Sequence, residues 1–231
     1  MGLHIDRRTV WLFDLDNTLH DAGSAVFGEL AESMQVYVQR ALQVDADAAR
    51  RLNLDYWQRY GATLLGLVRH HGVDARDFLH HTHRLPGLEQ RVSGHRHDLA
   101  ALRRLPGRKY ILTNAPRAFA LRVLGALGLG DAFQAVITIE DMVVFGHLRP
   151  KPDARMLRCL AQRLRVPPCR CVLVEDSLMH QKSARRVGMG TVWMQRFLRR
   201  GAPAAGPPPR WSRQPAYVDR RVRRLGALRA G

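Results

Sequence analysis

Thr9-Val10-Trp11-Leu12-Phe13-Asp14-Leu15-Asp16-Asn17-Thr18 is the stretch on which the reading of this chain turns. A short apolar run, entered from Arg7-Arg8 and left through an aspartate, suits a strand buried on both faces. It ends in two carboxylates at i,i+2 and a threonine. A chain that leaves a strand and turns can bring both carboxylates to one point. One strand-end aspartate is unremarkable, because Asp favours turns and helix caps. Working outward, similar runs recur at 109–114, 135–139, 170–175 and 191–194. Between them, Phe119, Val123, Leu124 and Leu127 fall at helical spacing, as do Met156, Leu157, Leu160 and Leu164. Strands alternating with helices predict an α/β fold, a Rossmann-like parallel sheet that receives ligands at the carboxyl ends of its strands.

Polar groups stand at the other strand ends too: Thr113-Asn114, then Lys151 within Arg149-Pro150-Lys151-Pro152-Asp153, then Glu175-Asp176-Ser177. All four groups in one sheet are hard to explain as caps and turns alone. The gap from Asp14 to Thr113 is far longer than one crossover helix needs. Its pattern is helical: Val26, Leu30, Met34, Tyr37 and Ala41, then Leu54, Trp57, Tyr60, Leu64 and Leu67, with Asp45 and Asp74 as N-caps. Residues 20–93 are therefore expected to form an inserted helical cap over a core of residues 1–19 and 94–195. Residues 196–214 read as a Pro/Arg-rich loop. Residues 215–231 read as a C-terminal core segment, with an extended piece at 215–219 and a last helix, capped by Asp219, that carries Val222, Leu225 and Leu228.

The 231 residues suit one large domain or a domain with an insertion. The hydrophobic fraction of 46% excludes a disordered chain. No apolar run approaches the roughly 18 residues that would span a membrane. The N-terminus lacks a basic-then-apolar signal, and Asp6 stands where a myristoylation motif wants Ser or Thr, so the chain is expected in the cytoplasm. The net charge of +17 is nearly all arginine, since Lys109, Lys151 and Lys182 are the only lysines. Residues 196–231 hold ten arginines and one acid, so about half the excess sits there. A basic tail can bind polyanions, but stacking aromatics are sparse in it (Trp211, Tyr217), so a nucleic-acid partner is not expected. Cys159, Cys169 and Cys171 are too few for a disulfide framework or a closed zinc site. His70-His71 and His80-His81-Thr82-His83 lack a completing Cys or carboxylate pair and are read as a polar helix end.

In their order along the chain, Asp14-x-Asp16-x-Thr18, Thr113, Lys151 and Glu175-Asp176 resemble the four motifs of the haloacid dehalogenase superfamily, in its branch of Mg²⁺-dependent phosphatases. The resemblance covers nearly all of residues 9–195, and the insertion matches the family's first cap type. It implies Mg²⁺ as cofactor, held by Asp14, the main-chain oxygen of Asp16 and Asp176, with Glu175 helping from nearby. It implies Asp14 as nucleophile forming an aspartyl-phosphate, and Asp16 as general acid and base. Thr113 and backbone amides near Asn114 would bind phosphoryl oxygens, with Lys151 adding positive charge. Hydrolytic dehalogenases of the superfamily lack the acid at the Asp16 position, so phosphoryl transfer is favoured over carbon–halogen cleavage.

Residues 53–67, with Leu112-Thr113-Asn114-Ala115 and Asp14 through Leu19, resemble pyrimidine 5′-nucleotidases. This chain departs from that pattern at Glu175, often Asp in relatives, and at His180, usually Asn. Glu175 keeps the charge. The expected substrate is a small phosphate ester, a nucleoside 5′-monophosphate first of all, with Tyr60 as the cap aromatic nearest to it. The alternatives are a sugar phosphate or phosphoglycolate as substrate, or a non-enzymatic scaffold docking on nucleic acid. Spacing and composition leave the oligomeric state open.

Overall fold

The computed structural model describes residue 3, residues 5–198 and residues 214–228. The Trp211 region and the last three residues therefore lie outside the described residues.

The chain opens with β1 (Val10–Phe13) and then runs through seven helices before its second strand: α1 (Ala22–Ala25), α2 (Phe27–Leu42), α3 (Ala46–Tyr60), α4 (Thr63–His71), α5 (Ala75–Thr82), α6 (Leu88–Arg91) and α7 (Arg96–Arg104). Next come β2 (Arg108–Leu112), α8 (Arg117–Ala126) and β3 (Ala135–Ile137). A hairpin of β4 (Val143–Val144) and β5 (His147–Leu148) follows, which the sequence gives no sign of. The remainder is α9 (Ala154–Arg163), β6 (Cys171–Glu175), α10 (Leu178–Arg186), β7 (Gly190–Met194) and β8 (Arg220–Val222).

Six strands form one parallel sheet in the order β3-β2-β1-β6-β7-β8. The chain grows from β1 outward to β2 and β3 on one side and to β6, β7 and β8 on the other. The end of β1 is thus the topological switch point, where crossovers diverge and leave a crevice. All four residues of β1 are buried, and their alternation serves two cores. Trp11 and Phe13 pack with Ile111, Val174 and Phe119 on the face covered by α8. Val10 and Leu12 pack with Leu173, Leu157 and Leu160 on the face covered by α9. A third apolar cluster belongs to the helical segment: Val38, Ala49, Tyr56, Leu64, Leu67 and Phe78, joined by Ile139 from beyond β3.

Asp45 and Asp74 accept from the Ala48 and Asp77 amides, as N-caps do. The expected continuous face from Leu54 to Leu67 is broken, however. Gly61 ends α3 in the left-handed region (φ 77°) and α4 starts afresh at Thr63. In consequence Leu54 and Trp57 are 45% and 58% exposed rather than core. The C-terminal reading is also corrected. Asp219 caps no helix: its carboxylate accepts from the Thr191 amide and from Arg185. Residues 220–222 add a sixth strand, and only a 3₁₀ turn, 225–228, follows. Val222, Leu225 and Leu228 are buried all the same, because so short an apolar set is compatible with strand or helix. No helix among the described residues is long and apolar enough to cross a membrane.

Candidate active site

The parallel register puts Asp14 one residue beyond β1, Thr113 one beyond β2 and Glu175 at the end of β6. The Asp14 amide donates to the Val174 carbonyl (2.9 Å), continuing the ladder and fixing where the side chain leaves the sheet. Lys151 arrives from the loop after β5. Its Nζ donates to Asp14 Oδ1 (2.6 Å) and to Glu175 Oε2 (2.8 Å), and all three side chains are almost fully buried. Asp14 Oδ2 has no partner among the described residues. The Lys151 backbone is clamped by Asn114, whose Oδ1 accepts from the Lys151 amide (3.0 Å) while Nδ2 donates to the Lys151 carbonyl (2.9 Å). The Asn114 side chain is therefore spent on positioning Lys151. Of the Asn114 group, its backbone amide alone is left for an anion. The Thr113 hydroxyl accepts from the Ala115 amide (3.0 Å), which leaves its own proton to donate elsewhere.

Asp16 lies beside Asp14 on the chain, but its carboxylate does not join the buried cluster. Oδ1 sits 2.9 Å from Nε2 of His20, a fully buried histidine whose Nδ1 has no partner among the described residues. The i,i+4 spacing of Asp16 and His20 was the signal for this contact. On the far side of the site, His180 Nδ1 lies 2.9 Å from Glu175 Oε2, close enough for an ion pair although off the angle of a hydrogen bond. Glu175 Oε1 also accepts from the Ser177 amide. Gln181 donates to the Glu175 and Val192 carbonyls, and Trp193 Nε1 to the Asp176 carbonyl, so the end of β6 is held from behind.

Asp14, Glu175 and Asp176 each offer an oxygen, and these atoms lie within 4.8 Å of one another. Burial, then the Glu175 charge, pushes Asp14 up to about 7, against the pull of Lys151. Burial and the charges of Glu175 and Asp14 raise Asp176 well above the carboxylate range, even though Asp176 keeps some surface open to the cavity. Glu175 goes the other way: burial opposes its ionisation, but Lys151 and His180 outweigh it and hold it low. Lys151 is likewise held above its ordinary value by Asp14 and Glu175 despite burial. Three crowded carboxylates facing one ammonium leave a surplus of negative charge. Hard oxygen donors at this spacing fit a hard dication such as Mg²⁺.

Above these groups lies a cavity of about 360 Å³. Its floor includes Asp14, Asp16, Thr113, Asn114, Lys151 and Asp176. Its roof comes from the helical segment: Val26, Phe27, Leu30, Met34 and Trp57 among others, with Met179 at the rim. Tyr60 is not part of it. The Tyr60 hydroxyl pairs with His70 Nε2 (2.7 Å), as Tyr56 pairs with His71, so both tyrosines face α4. The residues that reach the cavity from this turn are Trp57, Gly61, Ala62 and Thr63. A Cβ on Gly61 would lie 3.0 Å from Pro152 and 3.2 Å from Met179, so its bare backbone is where the helices meet the sheet unit.

Residues 9–188 match the family described as haloacid dehalogenase-like hydrolase. Phosphate metabolism protein 8 of Saccharomyces cerevisiae is 24% identical over 201 residues, covering 80% of this chain and 61% of the yeast protein. The fructose-1-phosphate phosphatase YqaB of Escherichia coli is 36% identical over 80 residues, covering 35% of this chain and 40% of that protein. This chain thus spans less than two thirds of the length of these curated relatives. Among solved structures, CbbY from Rhodobacter sphaeroides in complex with phosphate superposes with a TM-score of 0.63 at 21% identity, over 97% of this chain and 96% of that one. With the parallel sheet, the ordered strand-end residues and this match over most of its length, the chain belongs to the haloacid dehalogenase-like hydrolases.

Proposed function

We propose that this protein is a Mg²⁺-dependent phosphatase for small phosphate monoesters, nucleoside 5′-monophosphates first among them, working through an aspartyl-phosphate on Asp14. The observation that carries the reading is the buried Asp14–Lys151–Glu175 cluster at the switch point, with Asp16 beside it and Asp176 completing a dication's donor set. Asp14, Glu175 and Asp176 would hold Mg²⁺, with the main-chain oxygen of Asp16. Bound there, such an ion would supply positive charge to offset that of the nucleophile and the phosphoryl group.

The rest falls to the chain's own groups. An oxygen of Asp14 attacks phosphorus as the ester P–O bond breaks, and the Asp16 carboxyl gives its proton to the leaving oxygen. Asp16, now a carboxylate oriented by His20, takes a proton from the water that attacks the phosphoryl group. The bond to Asp14 breaks and phosphate is freed. Before attack, Lys151 favours the ionised form of Asp14 and aims it through Oδ1. The Thr113 hydroxyl, whose proton is free to donate, and the Asn114 amide would bind the phosphoryl oxygens.

The roof supports the choice of ester. No residue of the helical segment that lines the cavity carries a charge, and burial holds His83 down at about 4, hence neutral. The Thr63 hydroxyl is already given to the Asn53 carbonyl. Such a roof has little to offer the hydroxyls of a sugar or the carboxylate of glycolate. It does offer Phe27 and Trp57, 40% and 58% exposed, to a flat base. We place the inserted helices, residues 20–93, as the cap that selects the leaving group. The test is phosphate release from UMP, CMP, AMP, GMP, fructose 1-phosphate and phosphoglycolate, with Mg²⁺ and with EDTA. Metal-dependent release fastest from nucleotides is expected. A preference for the sugar phosphate or phosphoglycolate would overturn the nucleotide reading and leave the phosphatase standing.

A further inference from the structure

A second cavity, of about 570 Å³, shares Leu79, His83 and Phe119 with the active-site cavity but none of its carboxylates. It lies between α5 with the turn after it, on the helical side, and the start of α8, on the sheet side. Four arginines line it: Arg76 and Arg84 from the first element, Arg117 and Arg122 from the second. The two pairs differ. Arg117 donates to Asp141 (2.5 Å), and Arg122 grips Glu89 through two nitrogens (2.5 and 2.9 Å), so both are neutralised and fixed. The guanidinium groups of Arg76 and Arg84 make no hydrogen bond or ion pair with any described residue. The one acid lining the cavity, Glu140, is already bound to the Arg117 amide (2.9 Å). Leu79, Pro116 and Phe119 give the cavity an apolar wall.

Two unpaired guanidiniums beside an apolar wall, in a space within the roughly 300–1,000 Å³ usual for small-molecule sites, select for an anion with a compact body. We infer that this cleft is a second, non-catalytic binding site for a phosphorylated small molecule, which Arg76 and Arg84 grip while Leu79 and Pro116 pack on its body. Because the two walls come from different units, an occupant ties the helical segment to the sheet unit. The inference does not depend on which ester the active site cleaves.

The test uses the whole chain in EDTA, titrated calorimetrically with pyrophosphate and, separately, with ATP. The variants are Arg76→Ala/Arg84→Ala and, as a control elsewhere on the arginine-rich surface, Arg50→Ala/Arg51→Ala. Expected are saturable binding, at least tenfold weaker in the first variant and unchanged in the control, and hydrogen-exchange protection over 75–84 and 116–122. Turnover of 4-nitrophenyl phosphate without added ligand should be the same in all three proteins. Tighter binding of ATP than of pyrophosphate is expected, because the wall holds the ligand body; equal or tighter binding of pyrophosphate would overturn the role given to Leu79 and Pro116. No saturable binding, equal weakening in the control, or protection confined to residues 14–18 and 113–114 would overturn the site itself.

Discussion

The floor and the roof of the active-site cavity are built on opposite principles. The floor is polar, buried and cross-linked: Lys151 reaches two carboxylates, Asn114 clamps Lys151, and Gln181 and Trp193 brace the strand that carries Glu175 and Asp176. The roof is largely apolar and partly exposed, and the side chains of Phe27 and Trp57 make no hydrogen bond with any described residue. A sheet gives strand ends that cannot move without breaking ladders on both sides, and that suits reacting groups, which tolerate little misplacement. Helices joined by short turns can change their facing residues without disturbing the sheet, and that suits the choice of leaving group. The contrast implies that changes to the floor abolish reaction for every ester, whereas changes to the roof reorder esters.

The largest effect expected is from Asp14→Asn. It removes the nucleophile but keeps the shape, so turnover of every ester in steady-state assays should fall about 10⁴-fold or more. A nucleotide-only loss would break the contrast. Lys151→Met comes next, because it strands Asp14 and Glu175 without their cation. Chemical denaturation should show a loss of about 3–5 kcal/mol, together with loss of turnover. A stable, active Lys151→Met protein would mean that the ion pairs are incidental.

The third effect is on pH. Asp14, raised from 3.8 to about 7, binds its proton more tightly folded than unfolded, and Asp176 is shifted the same way. This contribution to stability is therefore fully present below pH 3.8 and is lost as pH rises through about 7. Mg²⁺ needs the ionised carboxylates, so the stabilisation it gives in chemical denaturation should grow between about pH 5.5 and 8, approaching about 2.7 kcal/mol at roughly a hundredfold excess over Kd. A gain independent of pH would separate these carboxylates from metal binding. Smallest is Trp57→Ala: the KM for UMP should rise about tenfold, from the roughly 1–3 kcal/mol of a base stack, with 4-nitrophenyl phosphate turnover little changed. Equal losses on both would make Trp57 a structural residue and blur the division between roof and floor.

The same division governs what the sequence made legible. Strands of a parallel sheet are buried on both faces, so they read as continuous apolar runs, and groups just past their ends are located with them. Asp14, Thr113, Glu175 and Asp176 are therefore legible from the sequence, whereas Lys151, read there as another strand-end group, follows the separate antiparallel hairpin of β4 and β5. The roof depends on contacts between helices, which local periodicity does not encode. Trp57 and Tyr60 stand three residues apart on one helix, and only the position of α4 sends the Tyr60 hydroxyl to His70. The resemblance implied backbone amides near Asn114 as phosphate donors and was silent on its side chain; that this side chain grips a backbone 37 residues away is a tertiary fact. The arginine cleft was invisible for a related reason. In a chain of +17 no single arginine stands out until its acidic partners are located.

The central claim, that Asp14 at the end of β1 is the nucleophile, is tested most directly by rapid acid quench of the protein with Mg²⁺ and ³²P-labelled UMP, followed by peptide mapping. The account predicts a transient, acid-stable label on the peptide holding Asp14, absent from Asp14→Asn and absent with EDTA. Phosphate release at full rate with no label on that peptide, or release that survives Asp14→Asn, would contradict it.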